Sequence, residues 1–508
     1  MSKTYFAFFE KGWGFGGREK LFFPGKKVFP FSRAVSPYRK PCIYSGKVVY
    51  YNDIVKTKIT EKKMTPEELK KQALEYHASG RPGKITVLPT KSCATGNDLS
   101  LAYTPGVAQP CLAIKENPED VWKYTARGNM VAVVSDGTAV LGLGNIGAEA
   151  GLPVMEGKAV LFKHFADIDA VPICLNRVSN AEGRTDADKL IAAAAALEPS
   201  FGGFNLEDIA SPACFKVERE LKKMLSIPVF HDDQHGTAII SLAAILNGLK
   251  VVGKKIEDCR FVVNGAGAAG LACSRFYLAG GAKLENMTLC DINGVLHTGR
   301  TDLSEEQKMF AKDTDMRTLA EAIKGADIFL GFSAPNCVTP EMVRSMNKDA
   351  IVFAMANPTP EIFPDVAIAA GAKLAGTGRS DYPNQINNVL GFPGIFRGAL
   401  DVRASDINEE MKLAASAALA ELAVSEIPED VKTALKKAYP ADAAKGMFDR
   451  APGLYADMVI PKPFDPRVVP HVARMVAKAA MESGVARIMI DDLDAYEAEV
   501  TRRISRNR

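Results

Sequence analysis

Apolar positions along this chain recur with two different periods, and the two kinds of segment alternate. Short apolar runs at residues 131–134, 171–175 and 228–230 predict buried strands, and the segments between them have helical spacing. From residue 236 onward the alternation is regular. Strands are predicted there at 260–264, 287–290, 328–330, 351–355 and 373–375. Alternating helices and strands form parallel sheets covered by helices, so we predict the α/β class.

These elements group into four predicted segments. A chain of 508 residues is expected to fold as two or three domains. We place an N-terminal α/β substrate domain at 60–230 and a Rossmann-like cofactor domain with a doubly wound parallel sheet at 231–440. A C-terminal helical segment, 441–508, is expected to pack back on the first domain. Residues 1–59 form an N-terminal extension that we leave unassigned.

The composition of the N-terminal extension differs from that of the rest. Its first fifty residues are rich in Phe, Gly, Lys and Arg, and their only acids are Glu10 and Glu19. Organelle transit peptides are also basic and acid-poor. However, the glycines of residues 12–17 interrupt any amphipathic helix. We therefore expect an appendage or a partner-binding strand on a cytoplasmic protein, and organelle targeting stays open.

Charge, hydropathy and cysteine usage argue against several other classes of protein. The 63 basic and 60 acidic residues leave a net charge of +3, too small to indicate a nucleic-acid partner. No apolar run reaches the roughly 18 residues that span a bilayer, so no membrane partner is expected. The nine cysteines are dispersed without a C-x-x-C pair. They indicate reduced thiols in a cytosol-like compartment.

A glycine motif, GAGAAG at 265–270, lies between a predicted strand and a predicted helix. In a dinucleotide site Gly265 would make the tight turn, Gly267 would let the backbone approach the pyrophosphate, and Gly270 would let the helix pack on the strand. The phosphates would then lie at the helix N-terminus, where free N–H groups favour anions. The alternative is a tight strand-to-helix turn without a ligand.

Two residues beyond this motif bear on the choice of dinucleotide. Asp291 ends the next strand, in the place of the acid that binds the ribose hydroxyls of NAD. Arg300 lies just beyond it, and an arginine near this position can hold the 2′-phosphate of NADP. We therefore predict NAD or NADP without choosing between them.

A second stretch, GLGNIG at 142–147, has the same glycine spacing. Gly151 and Pro153 follow it directly, and both residues disfavour a helix. We therefore predict that no helix begins behind this stretch, and that it is a glycine loop lining a cleft.

Two pairs of adjacent acids flank the junction of the two domains. The central stretch PVFHDDQHGTA at 228–238 contains Asp232 and Asp233, and a separate pair consists of Glu207 and Asp208. Carboxylate oxygens are the ligands that Mg²⁺ and Mn²⁺ prefer, so two or three of these acids are candidates for a metal site. The alternatives are helix caps and solvated loop charges.

A lysine and a tyrosine complete the candidate chemistry. Lys158 lies in an apolar helical segment, where a desolvated amine can act as a base. Tyr103 lies in a loop, where a tyrosine near a cation can donate a proton. The alternatives are a surface lysine that keeps its ammonium in water and a core tyrosine with a satisfied hydroxyl.

Taken together, these stretches resemble the malic enzymes, of the smaller kind common in bacteria. The resemblance runs from about residue 64 to residue 485, and its blocks occur in order. They are AYTPGV at 102–107, SDG at 135–137, LGLGNIG at 141–147, GKA at 157–159, NLED at 205–208, HDDQHGTA at 231–238, ANPTPE at 356–361 and QINNVLGFPG at 385–394.

The resemblance implies a role for each candidate residue. Tyr103 would be the general acid, Lys158 the general base, and Asp232 the neighbour that tunes the lysine. The implied metal ligands are Glu207, Asp208 and Asp233. The implied contacts to substrate or nicotinamide are Asn357, Asn387 and Asn388. One position departs from the larger malic enzymes, because Ala139 stands where they carry an arginine that binds a malate carboxylate.

The implied activity is the oxidative decarboxylation of L-malate to pyruvate and CO₂, with NAD or NADP as oxidant and Mg²⁺ or Mn²⁺ as the metal. A homodimer or higher homo-oligomer is also implied. Two alternatives remain: a metal-independent NAD(P)-linked dehydrogenase for a 2-hydroxy acid or amino acid, and a nucleotide-sensing protein without turnover. A fused acyltransferase domain is not expected, because the sequence ends at Arg508.

Overall fold

The computed structural model describes residues 42–44, 47–49 and 65–506. The chain divides into two compact units, residues 1–76 and 77–508. In the first unit, strands β1 (Cys42–Tyr44) and β2 (Lys47–Val49) pair antiparallel. The rest of the predicted extension, 1–59, lies outside the described residues. Helix α1 (Pro66–Ala78) begins after Thr65, whose side chain accepts a hydrogen bond from the backbone N–H of Glu68.

Three short helices follow: α2 (Gly96–Ala102), α3 (Ala108–Glu116) and α4 (Val121–Tyr124). None of their residues is buried. Tyr103 was predicted to lie in a loop, and no helix was predicted at the position of α2. Its start carries a capping box between Thr95 and Asp98, a signal that sequence reading could have used.

The first sheet has four parallel strands in the order β4-β3-β5-β6. They are β3 (Met130–Ser135), β4 (Asp169–Cys174), β5 (Gly203–Leu206) and β6 (Val229–His231). The helices between them are α5 (Ala148–Ala166), α6 (Ala187–Ala195) and α7 (Ala213–Met224). The middle strands are buried apolar runs, as expected for a parallel sheet that helices cover.

Helix α5 corrects the prediction that no helix begins behind the stretch 142–147. It begins at Ala148 and contains both Gly151 and Pro153. Gly151 lies on the buried face of the helix, in ordinary van der Waals contact with the preceding turn. A Cβ at Gly151 would lie 3.5 Å from Cγ2 of Val140. Tertiary packing of the buried face of a 19-residue helix therefore outweighs the propensity of two residues.

Helix α8 (Asp232–Val252) follows β6 directly and joins the two sheets. Its C-terminal half is anchored in the core. Asn247 donates to the carbonyl oxygens of Ala420 and Val459, and a Cβ at Gly248 would lie 3.1 Å from Cδ1 of Ile351. Among the described residues α8 alone has the length and apolar composition that could cross a membrane, and 67% of its most apolar window is buried in the fold, as in a core helix.

The second sheet has six strands in the order β12-β11-β10-β7-β8-β9. They are β7 (Phe261–Asn264), β8 (Met287–Asp291), β9 (Gly294–Val295), β10 (Ile328–Gly331), β11 (Ile351–Ala354) and β12 (Leu374–Thr377). All pairs are parallel except β8 with β9. The helices of this region are α9 (Ala268–Ala279), α10 (Glu305–Lys308), α11 (Leu319–Ile323), α12 (Pro340–Arg344), α13 (Pro364–Ala369) and α14 (Phe392–Asp401). The predicted Rossmann-like parallel sheet is confirmed.

Five helices complete the chain: α15 (Glu409–Val424), α16 (Glu429–Ala438), α17 (Pro440–Ala444), α18 (Val468–Glu482) and α19 (Leu493–Ser505). Helix α18 packs closely on α14, where a Cβ at Gly394 would lie 2.7 Å from Cβ of Val472. On α19, Tyr496 and Arg503 both bond to Asp401 at the end of α14. The domain limits given above stay a prediction. The eight cysteines within residues 65–506 are free.

Candidate functional site

The carboxyl ends of β5 and β6 bring the two pairs of acids together. Glu207 and Asp208 follow β5, and Asp232 and Asp233 open α8 directly after β6. The two strands are parallel neighbours, so both pairs emerge at the same edge of the sheet. One carboxylate oxygen each from Glu207, Asp208 and Asp233 lies within 4.8 Å of the other two. The sequence analysis predicted these three residues as metal ligands.

This cluster has the properties of a cation site. Glu207 and Asp208 are buried, and three nearby oxygens are buried without a hydrogen-bond partner: Asp208 Oδ2, Asp232 Oδ1 and Asn205 Oδ1. Burial, together with repulsion from Asp233, raises the pKa of Asp208 to about 7. Burial also raises the pKa of Glu207 well above its usual value. Unsatisfied hard oxygens crowded in this way fit Mg²⁺ or Mn²⁺.

Lys158 on α5 reaches the same cluster. Its Nζ lies 2.5 Å from Oδ2 of Asp232 and 3.1 Å from Oε1 of Glu207, and it lies 4.3 Å from the ring centroid of Phe392. The side chain is 10% exposed, so it is not a surface lysine. Burial lowers the pKa of Lys158, but the charges of Asp232 and Glu207 outweigh burial and raise the pKa above its ordinary value. The lysine is therefore protonated when these acids are ionised.

Asp232 is fully buried and is held on two sides. Besides Lys158, it accepts a hydrogen bond from Nδ2 of Asn388 at 3.2 Å, and Thr237 donates to Oδ1 of Asn388 at 2.9 Å. Neither Asp232 nor Asp233 is the N-cap of α8, because His231 takes that position. Asp233 instead accepts a hydrogen bond from the backbone N–H of Asp208 at 2.8 Å. The two acids therefore connect neighbouring segments rather than capping the helix.

The other two predicted asparagines lie elsewhere. The side chain of Asn387 accepts a hydrogen bond from the backbone N–H of Val389 and caps a single turn there. Asn357 lies where the loop at Gly142 approaches the second sheet. A Cβ at Gly142 would lie 3.1 Å from the carbonyl oxygen of Asn357. Of the three asparagines, Asn388 is therefore the one that the structure joins to the acid cluster.

The structure does not bring Tyr103 to the cluster. The residue follows α2 directly, its side chain is 70% exposed, and within residues 65–506 it forms no hydrogen bond with Lys158 or the acids. Ala139, the position that departs from the larger enzymes, donates its backbone N–H to the carbonyl oxygen of Asp208 at 3.0 Å.

The glycine motif has the geometry of a dinucleotide turn. Gly265 has a φ of +112°, and a Cβ there would overlap the carbonyl of Phe332. A Cβ at Gly270 would overlap the carbonyl oxygen of Gly265, so helix α9 packs directly on the turn. In contrast, a Cβ at Gly267 would have no neighbour within 4 Å. Open space over Gly267, at the start of α9, fits a bound pyrophosphate.

Asp291 ends β8 as predicted, but it is not free. Its Oδ1 accepts hydrogen bonds from the backbone N–H of Asn293 and from Nη1 of Arg300, both at 2.8 Å, and its Oδ2 accepts from Nη2 of Arg300 at 2.7 Å. Both residues were predicted from the sequence, and their ion pair was not.

Sequence reasoning missed Asn205, whose Nδ2 donates to Oε2 of Glu207 at 2.8 Å. The signal was available, because residues two apart on a strand share one face of the sheet. It also missed Glu218 and His235, which bond to each other behind the cluster. No sequence pattern connects a glutamate in the middle of α7 with a histidine on α8.

Comparison with known proteins assigns the fold. The family model of the malic enzyme N-terminal domain matches residues 82–222, and that of the malic enzyme NAD binding domain matches residues 234–435. The chain belongs to the malic enzyme family. The resemblance stated above is thereby confirmed.

Individual malic enzymes are similar over most of this chain. The NADP-dependent malic enzyme of Haemophilus influenzae is 55% identical over 438 residues, which cover 86% of this chain and 55% of the relative. The NAD-dependent malic enzyme of Rhizobium meliloti is 51% identical over 442 residues, which cover 87% of this chain and 55% of the relative. The chain spans about half the length of these curated relatives. A crystal structure of malic enzyme from Pyrococcus horikoshii is 43% identical, with a TM-score of 0.76, and the match covers 86% of this chain and 96% of that chain.

Proposed function

We propose that this protein catalyses the oxidative decarboxylation of L-malate to pyruvate and CO₂, with reduction of NAD⁺ or NADP⁺. The observation that carries the proposal is the position of Lys158, whose amine lies between Asp232 and Glu207 beside three clustered carboxylates. A buried amine next to a site for a hard cation suits a substrate that offers a hydroxyl and a carboxylate. Membership of the malic enzyme family supports the same reaction.

Glu207, Asp208 and Asp233 are the proposed metal ligands, for Mg²⁺ or Mn²⁺. Bound there, the divalent cation would supply Lewis-acid chemistry at the substrate oxygens and, by offsetting the charge of the acids, would favour the neutral amine of Lys158. Asn205 orients Glu207, and the backbone of Asp208 orients Asp233, so two ligands are fixed before a cation binds.

Lys158 is the proposed general base. It takes the proton of the C2 hydroxyl as hydride leaves C2 for the nicotinamide. Asp232 holds the amine of Lys158, and Asn388 holds the carboxylate of Asp232. The burial of these groups excludes water. After the C3–C4 bond breaks and CO₂ leaves, a proton is needed at C3. The family motif at 102–107 makes Tyr103 the proposed donor, although in the single chain Tyr103 is exposed and forms no hydrogen bond with the described residues of the cluster.

The dinucleotide is proposed to bind at the turn formed by Gly265, Gly267 and Gly270, with its adenosine ribose near Asp291. The named relatives include an NADP-dependent and an NAD-dependent enzyme at similar identity. The family alone therefore leaves the choice between the two dinucleotides open.

We also propose a homo-oligomer. Helices α2 and α3 have no buried residue, and they present exposed apolar side chains at Leu99, Leu101 and Leu112. Apolar area of this kind is a common mark of an interface. Sedimentation of the wild-type protein and of a Leu101→Asp, Leu112→Asp double variant would test this proposal. A monomeric wild type would overturn it.

The deciding experiment is the initial rate of NAD⁺ and NADP⁺ reduction by L-malate, with Mn²⁺ or with a chelator, while pyruvate is assayed. We expect metal-dependent reduction with one pyruvate formed for each dinucleotide reduced. Reduction that survives the chelator, with oxaloacetate as the product, would instead support the metal-independent dehydrogenase. A Tyr103→Phe variant that still turns over at the wild-type rate would remove the tyrosine from the mechanism.

A further inference from the structure

A buried acid outside the catalytic cluster contacts the turn that carries two of its carboxylates. Glu218 lies on α7 and is 6% exposed. Its Oε1 accepts a hydrogen bond from the backbone N–H of His231 at 3.2 Å. Nε2 of His235 lies 2.8 Å from Oε1 and 3.0 Å from Oε2 of the same carboxylate. Glu218 therefore holds the chain on both sides of Asp232 and Asp233.

The direction of the histidine hydrogen bond follows from Lys412 on α15. Its Nζ lies 3.4 Å from Nδ1 of His235. An ammonium group only donates, so Nδ1 is the acceptor and Nε2 carries the proton that is donated to Glu218. Lys412 is buried and is fixed by Glu409 at 2.9 Å. Lys412, His235 and Glu218 therefore form a series of contacts that runs from α15 through α8 to α7. Each of the three groups has one defined orientation in this series.

These three groups act on the acid cluster through the backbone of the first turn of α8. That turn carries Asp233, whose carboxylate accepts from the N–H of Asp208, and Asp232, whose carboxylate holds Lys158. A shift of the turn would therefore displace both carboxylates together. Groups that orient metal ligands in this way contribute substantially to metal affinity, typically about 10- to 100-fold.

We propose that Glu218 and His235 are positioning residues that fix the first turn of α8 and thereby set the affinity of the Glu207–Asp208–Asp233 cluster for a divalent cation. Neither residue belongs to the group of proposed ligands. The inference rests on the proposed metal site and adds to it the groups that determine how tightly the cation binds.

The test measures Mn²⁺ binding to the full chain by electron paramagnetic resonance of the free ion, without substrate or dinucleotide. Two variants disrupt the Lys412–His235–Glu218 contacts: Glu218→Leu removes the acceptor that two donors share, and His235→Leu removes donor and acceptor at similar volume. His235→Gln keeps both a donor and an acceptor. The matched control is Glu220→Leu on the same helix, since Glu220 bonds only to the surface residues Lys223 and Arg219 among the described residues.

We expect the Kd for Mn²⁺ to rise about tenfold or more in Glu218→Leu and His235→Leu. The Kd should stay within about threefold of wild type in His235→Gln and in the control. The Kd for NAD(P)⁺, measured separately, should not change in any of them. A purely structural role predicts a lower melting temperature with an unchanged Kd for Mn²⁺.

Folded Glu218→Leu and His235→Leu proteins with a Kd within twofold of wild type would overturn the inference. So would a failure of both variants to fold, because the pair would then be needed for the fold itself. Wild type and Asp233→Asn separate this result from the proposed function. If wild type binds Mn²⁺ and Asp233→Asn does not, the metal site stands whatever the Glu218 variants do. A wild-type protein that binds no Mn²⁺ would overturn both.

Discussion

Arg300 holds both carboxylate oxygens of Asp291 at the end of β8, at 2.8 and 2.7 Å. The same guanidinium also binds Asp302, at 2.9 Å through Nε and 2.6 Å through Nη2. The Arg300 side chain is 9% exposed. One buried cation therefore lies between two acids at the position where the adenosine ribose is expected. NAD and NADP differ there by a dianionic phosphate.

We predict that Arg300→Gln makes the protein discriminate more strongly against the 2′-phosphate. Removing the guanidinium leaves Asp291 and Asp302 uncompensated, and both repel a phosphate more than a hydroxyl. The ratio of the Kd for 2′,5′-ADP to the Kd for 5′-AMP should rise about tenfold, which corresponds to about 1.4 kcal/mol. Calorimetric titration with both ligands measures the ratio.

Arg344→Gln is the matched control for this prediction, since Arg344 pairs with Glu341 on an exposed turn of the same domain. An unchanged ratio in Arg300→Gln, with both ligands still bound, would show that the ion pair is remote from the 2′ position.

Replacing Lys158 by Gln should separate turnover from metal binding. Loss of the proposed base is expected to lower kcat by about 10²- to 10⁴-fold. Metal affinity should not weaken, because the change removes a positive charge next to Asp232 and Glu207. Stopped-flow rates and Mn²⁺ titration measure the two quantities. Lys163→Gln, on the exposed side of the same helix, is the control. A Lys158→Gln enzyme that keeps a tenth of the wild-type kcat would contradict the assignment.

Metal affinity should rise with pH around neutrality. Burial and the charge of Asp233 raise the pKa of Asp208 to about 7, so the metal-free carboxyl is largely protonated below that pH. A cation binds only the ionised form, and binding must then release a proton. The affinity for Mn²⁺ should therefore increase from pH 6 to pH 8. Calorimetry in two buffers with different ionisation enthalpies measures the released proton. An affinity that is constant over this range would refute the prediction.

Stability should depend on pH through His471. Its Nδ1 lies 3.3 Å from Oε1 of Glu497, and its Nε2 lies 3.5 Å from Oε2 of Glu421. The hydrogen bond to Glu497 raises the pKa of His471, although burial opposes it. Arg474 also contacts Glu497, at 3.5 Å, and competes for the same carboxylate.

The folded state binds the His471 proton more tightly than the unfolded state, so this contribution is complete below pH 6.5 and disappears as the pH rises through the folded-state pKa. His471→Gln should therefore lower the free energy of unfolding by about 1 kcal/mol at pH 5.5 and by much less at pH 9. Urea denaturation of both proteins at the two pH values checks this. An equal loss at both values would show that packing, not charge, explains the effect.

The features predicted correctly from the sequence are those whose structure depends on residues only a few positions apart. The buried strands other than β5, the turn at Gly265 and Gly270 and the two pairs of acids were recognised, because apolar runs and glycine spacing reflect steric requirements within a few residues. Strand β5 was not predicted, since it is short and contains the polar Asn205. Glu207 and Asp233 were therefore candidates from their residue type, and their meeting at one edge of the sheet did not follow from the predicted strands.

The remaining features depend on contacts between distant segments. Helix α5 begins at Ala148 despite Gly151 and Pro153, because burial against the turn at Val140 compensates for poor helix propensity. The pairing of Glu218 with His235 likewise depends on how α7 lies against α8. The exposed position of Tyr103 could not be predicted from the sequence, because a loop motif does not show which surface of the fold it faces.

The placement of α8 has a mechanical consequence. The helix has 21 residues and is therefore about 30 Å long. One end carries Asp232 and Asp233, and the other is fixed by Asn247 and Gly248 against α15 and β11. The helix therefore connects the two sheets directly. A tilt of about 1° at the fixed end moves the first turn by about 0.5 Å, which is roughly the tolerance within which catalytic groups must be held. A tilt of α8 that began at the second sheet would therefore move the carboxylates of Asp232 and Asp233.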